Sequence, residues 1–336
     1  MSRAGWLRPD PYILALLAVV IAASILPAAG AAGVALGWLS KAVIALVFFL
    51  HGAKLSREAL VAGLVHWRLH LAVLATSFLL FPVLGLGAGL LPETVLPASL
   101  ALGILFLCCL PSTVQSSINF TAMARGNVAA AVCAASASNI LGMMLTPVLV
   151  GALMHVSGAG PDLGILRDIA LQLFAPFLAG QIARPWLKGL LERHAKTVGR
   201  IDRGSILLVV YAAFSRAVID GVWNRVSPGQ LAMVALICLI ILALVLLITD
   251  RAGRWLGFSI EDRVVLIFCG SKKSLVTGAP MAAILFAPAE AGVMILPLMV
   301  FHQMQLIACA VLARRFGERP EPSVGTNPMP EARDGA

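Results

Sequence analysis

The residues with the most chemistry to offer stand in apolar surroundings. Lys272 and Lys273 fall midway along CGSKKSLVTG, residues 269–278, between Ser271 and Ser274. Ammonium groups there could bind the carboxylate or sulfate of an anionic substrate, stand where a metal cation would otherwise sit, or carry a coupling proton. A charge at the middle of a membrane helix costs about 2.5–3.5 kcal/mol on insertion scales, so such a pair usually faces a pathway. The bland alternative is that both side chains snorkel to an interface. Adjacent helical positions lie about 100° apart, so both amines point one way only if the backbone is unwound. A second polar cluster follows Pro111: Ser112, Thr113, Gln115, Ser116, Ser117, Asn119 and Thr121. Its alternatives are an ion or substrate site and a small-residue packing face. His302, Gln303 and Gln305 form a third set, which lines a cavity or makes one interhelical hydrogen bond.

Other chemistries find no foothold. No HExxH motif and no supported Ser/His/Asp set is present, and an intramembrane enzyme would need such an ordered group. GLGAGL, residues 85–90, lies inside an apolar run without the spacing of a dinucleotide fingerprint. The GSKKS string lacks the upstream glycine of a phosphate loop. The six cysteines all lie in apolar segments, without a CxxC pair, which argues against a disulfide framework or a zinc site.

The elements that must position these groups follow from composition. The chain has 336 residues, 60% of them hydrophobic and 12% charged. Its mean hydropathy is +0.95. A soluble domain carries about a quarter charged residues, so the solvent here is a bilayer. Runs of about 20 apolar residues number ten: 11–29, 34–52, 69–91, 95–119, 126–155, 165–187, 204–222, 228–250, 260–287 and 290–314. The first is read as a membrane span rather than a signal peptide, because hydrophobic segments simply continue. Residues 55–67 are too short to span and are amphipathic enough to lie at the interface.

The lysines and arginines set the orientation. They cluster at Arg3 and Arg8, then after the even-numbered spans, among them Lys54, Arg57, Arg68, Arg125, Arg193, Arg203, Arg251, Arg254, Arg314 and Arg315. Opposite loops carry little more than Arg167 and Arg225. Both termini are therefore expected in the cytoplasm, and the net charge of +9 needs no nucleic acid. Trp6, Trp67, Trp186 and Trp255 fall near the inner interface, Trp38 and Trp223 near the outer one. Lys41, His51 and His155 sit toward span ends, and Arg216 and Asp220 read as a local i,i+4 ion pair. Residues 1–317 make one membrane domain; 318–336, rich in Pro, Gly and charge, read as a disordered tail.

Spans four and nine differ from the rest. Each begins apolar, meets Pro111 or Gly270, then turns polar. Broken backbone is tolerated in a bilayer only where protein or a wet cavity satisfies it, and half-helix ends offer groups for ions and anions. Fourth and ninth are corresponding positions in two halves of five, and an odd count inverts one half against the other. The fold class expected is therefore an all-α polytopic membrane protein: ten transmembrane helices in inverted five-helix repeats, with helices four and nine broken and crossed.

Four stretches now carry a resemblance: FFLHGAKLSREAL (48–60), LPSTVQSSINFTAMARGN with AAVCAASASNILGMMLTPVLV (130–150), FCGSKKSLVTGAPMA (268–282) and FHQMQLIACAVLARR (301–315). Together they resemble the bile acid:sodium symporter family, closest to its branch of sodium/bile acid cotransporter 7 and bacterial proteins like it. The resemblance implies a symporter-like secondary transporter of a small organic anion, working by alternating access in the inner membrane. It implies sodium ligands at Ser116 and Ser117, and at Ser136 and Asn139, which lie i, i+3 on one helical face. It also exposes departures: Phe268 stands where the family has an acid, Lys272 where it has Gln, and Ser77 where a Gln is expected. Sodium coupling is thus in doubt, with a proton as the other candidate and no other cofactor implied. A non-transporting regulator or scaffold of ion handling is the rival function.

Overall fold

The computed structural model describes residues 11–54, 66–154, 163–221 and 226–319. Arg3, Trp6, Arg8, residues 55–65 of the amphipathic segment, His155, Trp223, Arg225 and residues 320–336 of the tail lie outside the described residues. Every regular element among those described is helical. In chain order they are α1 (Pro11–Ile25), α2 (Gly30–Lys54), α3 (Trp67–Ala88), α4 (Ala98–Cys109), α5 (Gln115–Met123) and α6 (Val128–Met154). There follow α7 (Leu163–Arg193), α8 (Ala195–Ile219), α9 (Pro228–Trp255), α10 (Ile260–Gly270), α11 (Leu275–Leu285) and α12 (Pro288–Gly317).

Among the described residues five helices are long and apolar enough to cross a membrane: α2, α3, α6, α9 and the Glu290–Gly317 part of α12. Their outward faces stay greasy. Leu239, Leu247, Val148 and Trp255 are exposed, a pattern that water would punish and lipid tails accept. Spans four and nine are each two helices, α4 with α5 and α10 with α11, and α5 runs on to Met123 rather than stopping at 119. The seventh span starts at Ala195, nine residues before the expected 204. Its first turns carry Asp202, which Lys54 at the end of α2 reaches at 2.5 Å, so charge at a wet helix end does not stop the helix.

The helices gather in two sets. In one, α2 packs on α7 and α8, and α1 on α8; in the other, α3 to α6 and α9 to α12 surround the two breaks. They meet where α8 lies on α11 and α12, and where α6 and α11 touch α7. Two glycines fix the α2–α7 crossing. A Cβ on Gly52 would collide with the Phe177 carbonyl oxygen, and one on Gly180 with that of Phe49. Backbones this close are the product of small residues facing each other, the usual device where helices associate without a hydrophobic drive.

Candidate functional site

A helix that stops inside a protein leaves its last carbonyls without amide partners. At the end of α4 the carbonyls of residues 107–111 can be traced. Leu107 accepts from its own Leu110 amide at 3.3 Å. The Ser112 amide, which would serve Cys108 in an unbroken helix, donates instead to Ser138 Oγ on α6 at 3.2 Å. The Cys109 carbonyl accepts from Thr146 Oγ1 at 2.8 Å. The Pro111 carbonyl accepts from the Ser274 amide at 2.9 Å, which brings the two breaks into direct contact. Cys108 and Leu110 remain, and both carbonyls accept from one donor, Lys273 Nζ, at 2.8 and 2.6 Å.

A third carbonyl completes the set. In α3, residues Thr76–Leu80 form a wide π-turn in which the Phe81 amide bonds back to Thr76. The next carbonyl in that pattern, Ser77, would need the amide of residue 82, which is Pro82 and has none. Lys273 Nζ supplies the missing proton, at 2.8 Å. The ammonium also stands 4.1 Å from the Phe81 ring centroid. Its own peptide is held from α12: the Lys273 amide donates to Gln305 Oε1 at 2.8 Å, and Gln305 Nε2 donates to the Lys273 carbonyl at 2.9 Å.

Lys272 has quite different surroundings. It is equally buried, 0% exposed like its neighbour. Its Nζ lies 3.9 Å from the Phe120 ring centroid and 5.7 Å from that of Phe268. Among the described residues it has no hydrogen-bond partner. Neither lysine snorkels to a surface; the broken backbone keeps both inside.

The remaining expected site residues divide. Ser112, Thr113, Ser117, Ser271 and Ser274 are buried at the two breaks. Ser117 Oγ donates to the Phe268 carbonyl at 3.0 Å, tying α5 to the end of α10. The Thr113 hydroxyl stands 2.7 Å from that of Ser116 and 3.1 Å from that of Ser117. Ser274 caps α11 by accepting from the Thr277 amide. Gln115 and Asn119 bond to each other along an exposed face of α5, and no described bond joins them to either lysine. Ser136 is half-buried, and Asn139 keeps a buried Oδ1 without a partner among the described residues. Ser116 and Ser117 on α5 and Ser136 and Asn139 on α6 stand on two helices that pack against each other. His302 Nδ1 lies 2.9 Å from Gln305 Nε2. Gln303 leaves its Oε1 buried without a described partner. Of the two readings of the α12 set, Gln305 makes the interhelical bond. Ser138, Thr146 and Pro82 went unread in sequence, since the bonds they make or forgo follow only from the break geometry.

A cavity of about 830 Å3 opens where the two helix sets meet. Its rim includes Ala28, Gly30, Ile219 and Pro288, the turns at one end of the molecule. The opposite end carries Lys54, Arg68, Arg125 and Arg254. The walls are mostly small and apolar, with Ser40, Lys41, Gln172, Ser215 and Arg216 as polar points. The Ser40 and Ser215 hydroxyls are buried and lack partners among the described residues. Arg216 pairs with Asp220 at 2.9 Å, as the i,i+4 spacing led one to expect. Lys41 lies in the middle of α2, not toward its end, with its amine 5.0 Å over the Trp38 ring.

Membrane-length apolar helices, two abutting breaks and a cavity between packed sets define a multi-pass membrane protein built like a transporter. Its family is established by comparison: residues 10–318 match the SBF-like CPA transporter family, and the chain belongs to it. YfeH of Escherichia coli (strain K12), which carries the word symporter in its name, is 51% identical over 313 residues, covering 93% of this chain and 94% of that one. Uncharacterized protein PA2026 of Pseudomonas aeruginosa is 52% identical over 320 residues, 95% and 96% of the two chains. Sodium/bile acid cotransporter 7 of Mus musculus is 28% identical over 317 residues, 91% and 92% of the two. The family and the names of these relatives place the chain among transporters rather than enzymes.

Proposed function

We propose that the chain is a secondary transporter that moves a small organic anion across the inner membrane by alternating access. In this reading α1 to α6 form one five-span half and α7 to α12 an inverted second half, both termini are cytoplasmic, and α4/α5 cross α10/α11 at mid-membrane. The observation that carries it is the cavity at the junction of the two helix sets. At about 830 Å3 it is of a size to enclose a small ligand. Its apolar walls suit a hydrocarbon body, while Lys41 and the hydroxyls of Ser40 and Ser215 suit a carboxylate or sulfate head.

In this reading the cavity, which opens away from the basic end, faces outward by the positive-inside rule. Rocking of α1, α2, α7 and α8 against the break-bearing set would close it there and open the other side. An anion moving inward would then meet Lys272, the buried charge without a described acceptor. Ser116 and Ser117 on α5 and Ser136 and Asn139 on the adjoining α6 are the oxygens left for a coupling cation, sodium or a proton.

The test is counterflow in proteoliposomes. Purified protein first goes through a thermal-shift screen of organic anions, with and without sodium, because ligand binding to the folded state raises its midpoint. A stabilising anion, radiolabelled, should exchange saturably against unlabelled anion inside. Stabilisation without any exchange would leave a non-transporting regulator instead.

A further inference from the structure

The three carbonyls around Lys273 do not form a hydrogen-bonding site for the lysine alone. They are oxygens that the fold has already stripped of amide partners. Pro82 removes the donor for Ser77, and the end of α4 removes the donors for Cys108 and Leu110. All three point at one centre from 2.6 to 2.8 Å. Such convergent main-chain oxygens, with no carboxylate among them, are a ligand set for a dehydrated monovalent cation; a divalent ion would call for formal negative charge. Two of the three also belong to a helix C-terminus, whose dipole favours positive charge. An ammonium offers three N–H donors and here meets three acceptors.

We propose that Lys273 is a tethered cation. Its ammonium occupies a monovalent-cation site formed by the Ser77, Cys108 and Leu110 carbonyls, and removing the side chain turns that place into a site for a free sodium, potassium or small ammonium ion. The protein thereby carries permanently, on its own chain, the charge that holds α3, α4 and the α10–α11 break together. The site answers to cations through folding stability, independent of whether an anion is transported.

The experiment compares wild type, Lys273→Ala and Lys273→Met in choline, sodium, potassium and methylammonium chlorides at equal ionic strength. Thermal midpoints are read on membranes heated before extraction, so that a variant too weak to purify is still measured. Wild type should show no rise that matches that of Lys273→Ala in cation and concentration range. Lys273→Ala should melt low in choline and rise saturably, by on the order of 5 °C or more, with at least one of the three small cations. Lys273→Met, whose thioether chain fills the space without charge, should melt low and stay there. The proposal is overturned if Lys273→Ala ignores all three cations or never folds in any salt. It is equally overturned if Lys273→Met responds as the alanine variant does, or if wild type is stabilised by the same cation over the same range.

Discussion

Lys272 and Lys273 are neighbours in the chain and equally buried, yet their surroundings are opposites. Lys273 has every donor engaged, each by a carbonyl with no other described donor. Lys272 has two aromatic rings and no described acceptor. Because the peptides between Ser271 and Ser274 leave the helix, consecutive side chains turn into different environments: Lys273 toward α3 and α4, Lys272 toward α5. The difference teaches that burial of a charge has two meanings. A charge whose partners are all supplied is part of the frame, and one left without them is available for work.

The contrast can be broken most severely at the frame. Lys273→Met should cost on the order of 3–5 kcal/mol, since it leaves three buried carbonyls unpaired, and should lower the thermal midpoint in choline accordingly. Gln305→Leu comes next. It removes both bonds to the Lys273 peptide, which should cost about 2–3 kcal/mol and is read in the same melt. Gly180→Ala, far from either lysine, should cost about 1–3 kcal/mol because α2 and α7 must separate around the Phe49 carbonyl. A cost confined to Gly180→Ala, with none at Lys273 or Gln305, would remove the distinction between framework and free charge. The smallest effect is expected in the cavity wall. Lys41→Ala should leave the melt unchanged and raise the KM for a transported anion several-fold, because the amine is exposed and its Coulomb attraction is partly screened.

Much of the architecture was legible because the bilayer writes it in composition. Apolar runs of about 20 residues located the helices, and Pro111 and Gly270 marked the interruptions. The lysines announced themselves by their cost in an apolar stretch. Which lysine does what was not legible, because it depends on where a non-helical backbone aims successive side chains. Pro82 explains why: in sequence it is a proline in a hydrophobic run, and only the π-turn before it shows that the lost amide orphans Ser77. The helix that begins at Ala195 escaped because charge was read as the end of a span, whereas helices in a membrane protein continue into water. The cavity polar groups Ser40 and Ser215 escaped because single serines on apolar helices carry no periodic signal.

The most direct measurement makes Lys272→Met and Lys273→Met side by side and records both the thermal midpoint and anion counterflow on each preparation. Lys272→Met is expected to fold with a midpoint within about 1 kcal/mol of wild type, the lost ring contact being offset by the removal of an ammonium without an acceptor, and to lose flux at least tenfold. Lys273→Met is expected to lose stability first. Full flux from Lys272→Met, or an undiminished midpoint in Lys273→Met, would contradict the division of labour between the two lysines.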